Sequence, residues 1–297
     1  MFRGIPVMLR PDIPETHWVT SRSLGIASGS IELDEEEFVP VGADGICSFV
    51  QKGVGATSGR LFRPLMGRLR GYPIPRLPFS VERGGLFLDV GSNWGRWVVA
   101  AHREGFKCVA LDPSLEALLA AQEVFTATGV QACLVAGDAR YLPITSGSFD
   151  VVFSYSVLQH FAKDQARVAL VEMGRVLADG GQAWVQMPNA FGLRCLWRQM
   201  RRGFRGARNF EVRYWRPREL LDAFRQAFGS SSFEVDGYLG LGVGAAEASL
   251  SELRFRDRLV VRTSRAMRRL SRRLPPLVML ADSLYVRGSK VRPPGDP

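Results

Sequence analysis

The stretch Leu86-Phe-Leu-Asp-Val-Gly-Ser-Asn-Trp-Gly-Arg-Trp97 leaves the chain few ways to fold. Three apolar residues run into an acidic one, small residues make a turn, and an apolar segment follows. That order predicts a buried strand ending at Asp89, a tight loop from Val90 to Gly95, and a helix starting near Arg96. Gly91 and Gly95 carry no Cβ, so a ligand can lie against the loop backbone. Asn93 stands where a nucleotide-binding loop often has a third glycine, and asparagine tolerates positive φ better than most residues.

Strand and helix signals then alternate. Lys107–Asp112 reads as a strand with an acidic end. Gln131–Val135 is a strand leading to Gly137-Asp138-Ala139. Phe149–Tyr155 is a strand, and Gln182–Met187 is another, closed by Pro188. Between them the pattern predicts helices over Arg96–Glu104, Ser114–Ala127 and Asp164–Leu177, the last stopped by Asp179-Gly-Gly181. Pro217 suits the first turn of a helix over Arg218–Phe228. Ser232–Asp236 and Leu284–Ser289 are the final strand candidates. Such alternation means an α/β fold, a parallel sheet with helices on both faces.

Four signals in this order resemble the class I, S-adenosylmethionine-dependent methyltransferases, close to the group called type 11. They are Asp89-Val-Gly-Ser-Asn-Trp-Gly95, Asp112 at a strand end, Gly137-Asp138-Ala139, and Phe149-Asp150 followed by Ser154 to His160. The resemblance spans about residues 80–190, with an echo in Arg213-Tyr-Trp-Arg-Pro-Arg-Glu-Leu220. It implies a Rossmann-like, doubly wound, seven-stranded sheet, mostly parallel with the last strand antiparallel. S-adenosyl-L-methionine is the implied cofactor. A carboxylate at Asp112 can accept two hydrogen bonds from ribose hydroxyls. By resemblance Asp138 accepts from the adenine amino group, the Ala139 amide meets a ring nitrogen, and Asp89 lies near the cationic methionine end. Gly91, Asn93, Gly95 and Ser154 complete the implied cofactor set. NAD would use the same strand, loop and helix, but its pyrophosphate favours G-x-G-x-x-G, which this loop lacks.

Methyl transfer from a sulfonium asks the protein mainly to align two reactants and exclude water. A general base helps when the acceptor is a hydroxyl. His160 is the best placed of the three histidines, with Tyr155 nearby; packing or loop hydrogen bonding is the other role open to it. His17 and His102 have no partner motif.

Charge divides the chain unevenly. Residues 1–193 hold 17 Lys and Arg against 19 Asp and Glu; residues 194–297 hold 22 against 10. The excess falls on two Arg-rich insertions, 188–216 and 240–280. In this topology both follow parallel strands and should emerge on the cofactor edge of the sheet. The second predicts a helix from about Glu252 to Arg273, opened by the capping-box spacing Ser249-Leu-Ser-Glu252 and stopped by Pro275-Pro276. Leu253, Leu259, Val260, Thr263, Met267, Leu270 and Leu274 form its apolar stripe, with nine arginines on the remaining surface. A basic amphipathic helix of this kind can pack on the domain, lie on a membrane surface near a lipid-linked acceptor, or help recognise an anionic acceptor. No RNA-binding module is visible.

The rest bounds the reading. No apolar run approaches the roughly 20 residues that span a bilayer, and no secretory signal is expected, so the protein is expected in the cytoplasm with contact to the membrane face open to it. Cys47, Cys108, Cys133 and Cys195 form no CxxC pair, so buried reduced thiols are expected and metal binding is not. Phe2–Leu9 resembles the last strand of a Trm112-type zinc ribbon without its upstream cysteines. The acidic run Glu32–Glu37 reads as a solvated loop or helix start, a short helix is expected near 60–70, and the proline-rich piece from Tyr72 to Pro78 as a connector. The organisation expected is an N-terminal cap over 1–80 and a methyltransferase domain over 81–297. Its activity would be methyl transfer to a small-molecule, sugar or lipid-linked acceptor, most simply at oxygen. An RNA methyltransferase and a non-catalytic S-adenosylmethionine-binding component of a biosynthetic assembly are the alternatives.

Overall fold

The structure, a computed structural model, describes residues 1–13, 18–41, 45–57, 71–79, 84–239 and 254–290. The expected helix near 60–70, His17, Leu253 and the capping box at Ser249–Glu252 lie outside them. Two compact units result, one of residues 1–138 and 244–258, the other of 139–243 and 259–297. Seven strands make up the main sheet: β5-β4-β3 in the first unit and β6-β7-β9-β8 in the second.

The first unit opens with helix α1 (Val19–Ser28), a two-stranded ribbon of β1 (Pro40–Val41) and β2 (Ile46–Cys47), and helix α2 (Ser48–Thr57). The acidic run contributes a short 3-10 turn, Glu35–Phe38, started by the Asp34 side chain. Three parallel strands follow: β3 (Leu86–Val90), β4 (Lys107–Asp112) and β5 (Ala132–Ala136), alternating with α3 (Arg96–Arg103) and α4 (Leu115–Thr128). Ser114 caps α4 by accepting from the Ala117 amide, and Gly129 ends it in a left-handed conformation. Helix α1 is pinned to the start of α4: Ser23 Oγ donates to the Pro113 carbonyl and accepts from the Leu115 amide, while Arg22 forks onto Glu116 at 2.8 and 2.9 Å. Val7 pairs in parallel with Ala136, so the run Phe2–Leu9 covers part of the exposed edge of β5. Cys133, expected buried, is exposed because it points outward from this edge strand, whereas the other three thiols are buried.

In the second unit β6 (Phe149–Tyr155) pairs in parallel with β7 (Leu177–Pro188), joined by α5 (Lys163–Val176). Helix α6 (Leu193–Arg201) leaves the end of β7. Helix α7 (Pro217–Phe228), β8 (Ser232–Gly237), α8 (Phe255–Ser271) and β9 (Ser283–Ser289) complete the unit; the first turn of α8, through Arg258, groups with the first. The last strand, β9, is antiparallel to both β7 and β8, as the resemblance implies. Strand β7 starts five residues earlier than Asp179-Gly-Gly181 suggests. Those residues form a bulge, since Phe149 pairs with Leu177 but Val151 with Gln182, and Lys290 exchanges backbone bonds with Gly180 and Gly181.

Helices α5 and α7 meet at Gly174, where an added Cβ would stand 2.3 Å from the Ala227 carbonyl oxygen. Alanine gains about 1 kcal/mol of helix propensity over glycine, but the clash is with rigid backbone. Gly174→Ala is therefore expected to destabilise the protein by about 2–3 kcal/mol, lowering the melting temperature by roughly 8 °C in a thermal scan.

Candidate active site

The carboxyl ends of β3, β4 and β5 each present an acidic residue: Asp89, Asp112 and Asp138, all buried. Ligands of open parallel sheets bind at this edge. The loop after β3 is folded against β4, because Gly91 and Ser92 donate backbone hydrogen bonds to the Leu111 carbonyl at 2.7 and 3.0 Å. Gly91, Asn93 and Gly95 all have positive φ, at 80°, 49° and 80°. Asparagine thus stands in the left-handed region the pattern requires, and it does more than tolerate it. Its amide donates to Asp112 Oδ2 at 2.8 Å, while its own Oδ1 accepts from Trp94 N. The Ser114 amide holds Asp112 Oδ1, also at 2.8 Å. Asp112 is therefore fixed by two backbone amides, each oxygen keeping a lone pair for a further donor. At Gly95 the missing Cβ makes room for a protein neighbour: a Cβ there would stand 2.5 Å from the Phe125 ring of α4.

Asp89 has no exposed surface, and neither of its carboxylate oxygens has a hydrogen-bond partner among the described residues. Burial pushes its pKa up to about 8, against a lowering pull from Arg96. Burial also raises Asp112, to about 6, with the two amides opposing it. A buried carboxylate of this kind ionises when a cation joins it. Sequence reasoning missed the walls of this loop. Trp94 is buried, Tyr72 of the proline-rich connector packs on it at 6.1 Å, and a Cβ added to Gly53 of α2 would stand 3.4 Å from its ring.

In the second unit Ala139 and Ser154 are buried, and Tyr155 ends β6. The Tyr155 hydroxyl donates to Asp236 Oδ2 at 3.1 Å; Ser283 Oγ donates to the same oxygen at 2.6 Å and itself accepts from Gln186 Nε2 at 2.6 Å. This network lies at the carboxyl edge of β6 and β7. Sequence reasoning missed Asp236, Ser283 and Gln186, whose partners are 81 and 97 residues away. Ser156, next along, has φ 65°, a strained value for a side-chain-bearing residue at the strand exit.

His160 faces different partners. A carbonyl only accepts, so Nδ1 donates to the Phe210 carbonyl at 2.8 Å; in that tautomer Nε2 accepts, and Gln159 Nε2 lies 3.2 Å from it. The imidazole stacks on the Phe210 ring at 3.9 Å, and Arg213 bonds the His160 carbonyl. Both ring nitrogens thus hold loop contacts. Among the described residues no cluster of His, Cys, Asp or Glu could hold a metal ion.

Residues 87–181 match a family described as a methyltransferase domain. They form a class I methyltransferase domain. Phe2–Leu9, with its Trm112-like look, lies outside the matched residues. The chain is 32% identical over 109 residues to the biotin biosynthesis bifunctional protein BioHC of Cellvibrio japonicus, which covers 37% of this chain and 20% of that protein. The chain thus spans about a fifth of the length of this curated relative. In fold it is similar to a chain of the complex between the Haloferax volcanii Trm112 methyltransferase activator and a methyltransferase, at 19% identity and a TM-score of 0.51, covering 83% of this chain and 95% of that one. It is also similar to an S-adenosylmethionine-dependent methyltransferase of Thermotoga maritima, at 18% identity and a TM-score of 0.46, covering 71% and 84%.

S-adenosylmethionine is the cofactor of this methyltransferase domain. The residues present fit it: the orphaned, buried carboxylate of Asp89 asks for a cation, and the amide-anchored Asp112 keeps acceptor capacity for hydroxyls.

Proposed function

We propose that the protein transfers a methyl group from S-adenosylmethionine to a hydroxyl oxygen of a small, sugar or lipid-linked acceptor. The observation that carries the oxygen assignment is the hydrogen bond from the Tyr155 hydroxyl to the buried carboxylate of Asp236. When bound, the cofactor supplies an electrophilic methyl group on a cationic sulfur. The chain's own residues then position, exclude water and accept a proton. Asp89 faces the cationic methionine end, Asp112 accepts from the ribose hydroxyls, and Asp138 and Ala139 hold the adenine. Gly91, Asn93 and Gly95 shape the loop, and Ser154, buried on β6, completes the set that the resemblance implies. As the acceptor oxygen gains its methyl group, its proton passes to Tyr155 Oη while the phenol proton moves to Asp236 Oδ2, so no free charge is left on the acceptor. Ser283 and Gln186 keep Asp236 aimed at the phenol. His160 positions the 209–213 segment by its bonds to Phe210 and does not touch the proton.

The test is incubation of the purified protein and methyl-tritiated S-adenosylmethionine with a cell extract freed of endogenous cofactor. Label is expected in the small-molecule or organic-soluble fraction, stable to mild acid and base as a methyl ether is. Label confined to RNA would move the protein to nucleic-acid methylation. Cofactor binding without any transfer would favour a binding component of a biosynthetic assembly.

A further inference from the structure

Two helices of the second unit turn their apolar residues outward. Helix α6 docks through Gly192, Cys195 and Gln199, and leaves Leu193, Leu196, Trp197, Met200 and then Phe204 exposed, at spacings of three and four. Helix α8 packs only part of its apolar stripe on the domain. Its contact face is Val261, Ser264 and Ser271, with Val260 and Met267 half-buried, whereas Leu259, Thr263, Leu270 and Leu274 are exposed. Ser264 explains the inversion: its hydroxyl bonds both the amide and the carbonyl of Tyr238, so a small polar residue takes the inner face. In the 3-10 turn Pro275–Leu280 that follows α8, Met279 and Leu280 are exposed as well.

These faces are held on one edge of the unit. Pro188, at the end of β7, pairs with Ser283 at the start of β9. Asp282 Oδ1 accepts from the Arg194 and Cys195 amides at the start of α6, and Asn189 donates to the Met279 and Ala281 carbonyls. Tyr238 bonds the Leu277 carbonyl and Ser264 of α8. Scattered exposed apolar residues need no explanation, but a ridge of them on three adjoining segments does.

Charge names the occupant. Residues 190–208 and 259–281 contain twelve arginines and no aspartate or glutamate. Arg201 stacks on exposed Trp197 at 4.9 Å, an amphipathic pair of the kind that sits at a headgroup boundary. We propose that the outward faces of α6, of α8 from Leu259 onward, and of 275–280 form a docking surface for an anionic phospholipid bilayer. The leucines and the two methionines Met200 and Met279 enter the acyl boundary and the flanking arginines, among them Arg198, Arg201 and Arg269, meet lipid phosphates. A second copy of the same face would bring like charges together. Nucleic acid would satisfy the arginines and leave the leucines wet. Among the described residues no helix is long and apolar enough to cross a membrane, so the contact is with the surface.

The proposal stands apart from the methyl-transfer reading, because vesicle binding is read without donor or acceptor. Full-length protein is mixed with sucrose-loaded vesicles of phosphatidylcholine alone or with about 30 mol % phosphatidylglycerol. It is expected to sediment with the anionic vesicles, and about tenfold less with the neutral ones. The triple change Trp197→Ser, Met200→Ser, Phe204→Ser is expected to cut partitioning about tenfold while S-adenosylmethionine affinity and the far-ultraviolet circular dichroism are kept. Should that variant misfold, brominated phospholipid is expected to quench wild-type tryptophan fluorescence, and Trp197→Phe to remove the quenching. No sedimentation at low salt overturns the proposal. So does undiminished binding by a folded triple variant, which would leave only electrostatic adsorption, and so does retention on RNA without vesicle binding.

Discussion

Asp89→Asn is expected to weaken S-adenosylmethionine binding at least about a hundredfold and, at the same time, to raise the melting temperature of the ligand-free protein. Both effects come from one buried carboxylate that has no hydrogen-bond partner among the described residues. Burial holds its proton up to about pH 8, far above the ordinary carboxylate range. Across the window from about 4 to 8 the folded protein keeps a proton that the unfolded chain releases, so the ligand-free fold loses stability as pH rises. Asparagine has no proton to lose. Melting curves at pH 6 and pH 9 should therefore converge in the variant and separate in the wild type. A cofactor cation must expel the same proton, so wild-type affinity should rise about tenfold per pH unit and level off above pH 8. Asp112, raised to about 6, adds slope only below that value. Titration calorimetry in buffers of different ionisation enthalpy reads the released proton directly. Wild-type affinity in Asp89→Asn would mean the carboxylate does not face the cation.

That carboxylate was legible in the sequence because it sits in a short-range pattern: an apolar run, an acid, then small residues. Lys107–Asp112 and Phe149–Tyr155 match their predicted bounds for the same reason, each being an apolar strand with a polar or glycine boundary. Where a long-range partner decides the outcome, local reading fails. Asp179-Gly-Gly181 looks like a helix stop followed by a turn, yet backbone bonds to Lys290 draw it into β7 as a bulge. The apolar stripe of α8 leaves its placement open in the sequence, and the two buried serines Ser264 and Ser271, which carry no apolar signal, set the inner face instead. Asp236, Ser283 and Gln186 carry no motif, and only the pairing of β7, β8 and β9 brings them to Tyr155.

The sharpest test of the acceptor chemistry lies in those same residues. Tyr155→Phe and Asp236→Asn are each expected to lower methyl transfer by about 100- to 1,000-fold, with cofactor affinity unchanged. Because the phenol and the carboxylate act as one proton path, the double variant should be no slower than the worse single one. Asparagine keeps an acceptor for the Tyr155 hydroxyl and for Ser283, so Asp236→Asn should fold like the wild type while losing the group that takes up the proton. His160→Asn is expected to cost less than about tenfold, since its ring nitrogens are engaged with Phe210 and Gln159. Single-turnover transfer of tritiated methyl into the labelled acceptor fraction separates these cases. A large loss in His160→Asn alongside a small one in Tyr155→Phe would transfer the base role to the imidazole. Equal, small losses in all three would point to an acceptor that needs no base, a nitrogen or sulfur nucleophile already carrying its lone pair.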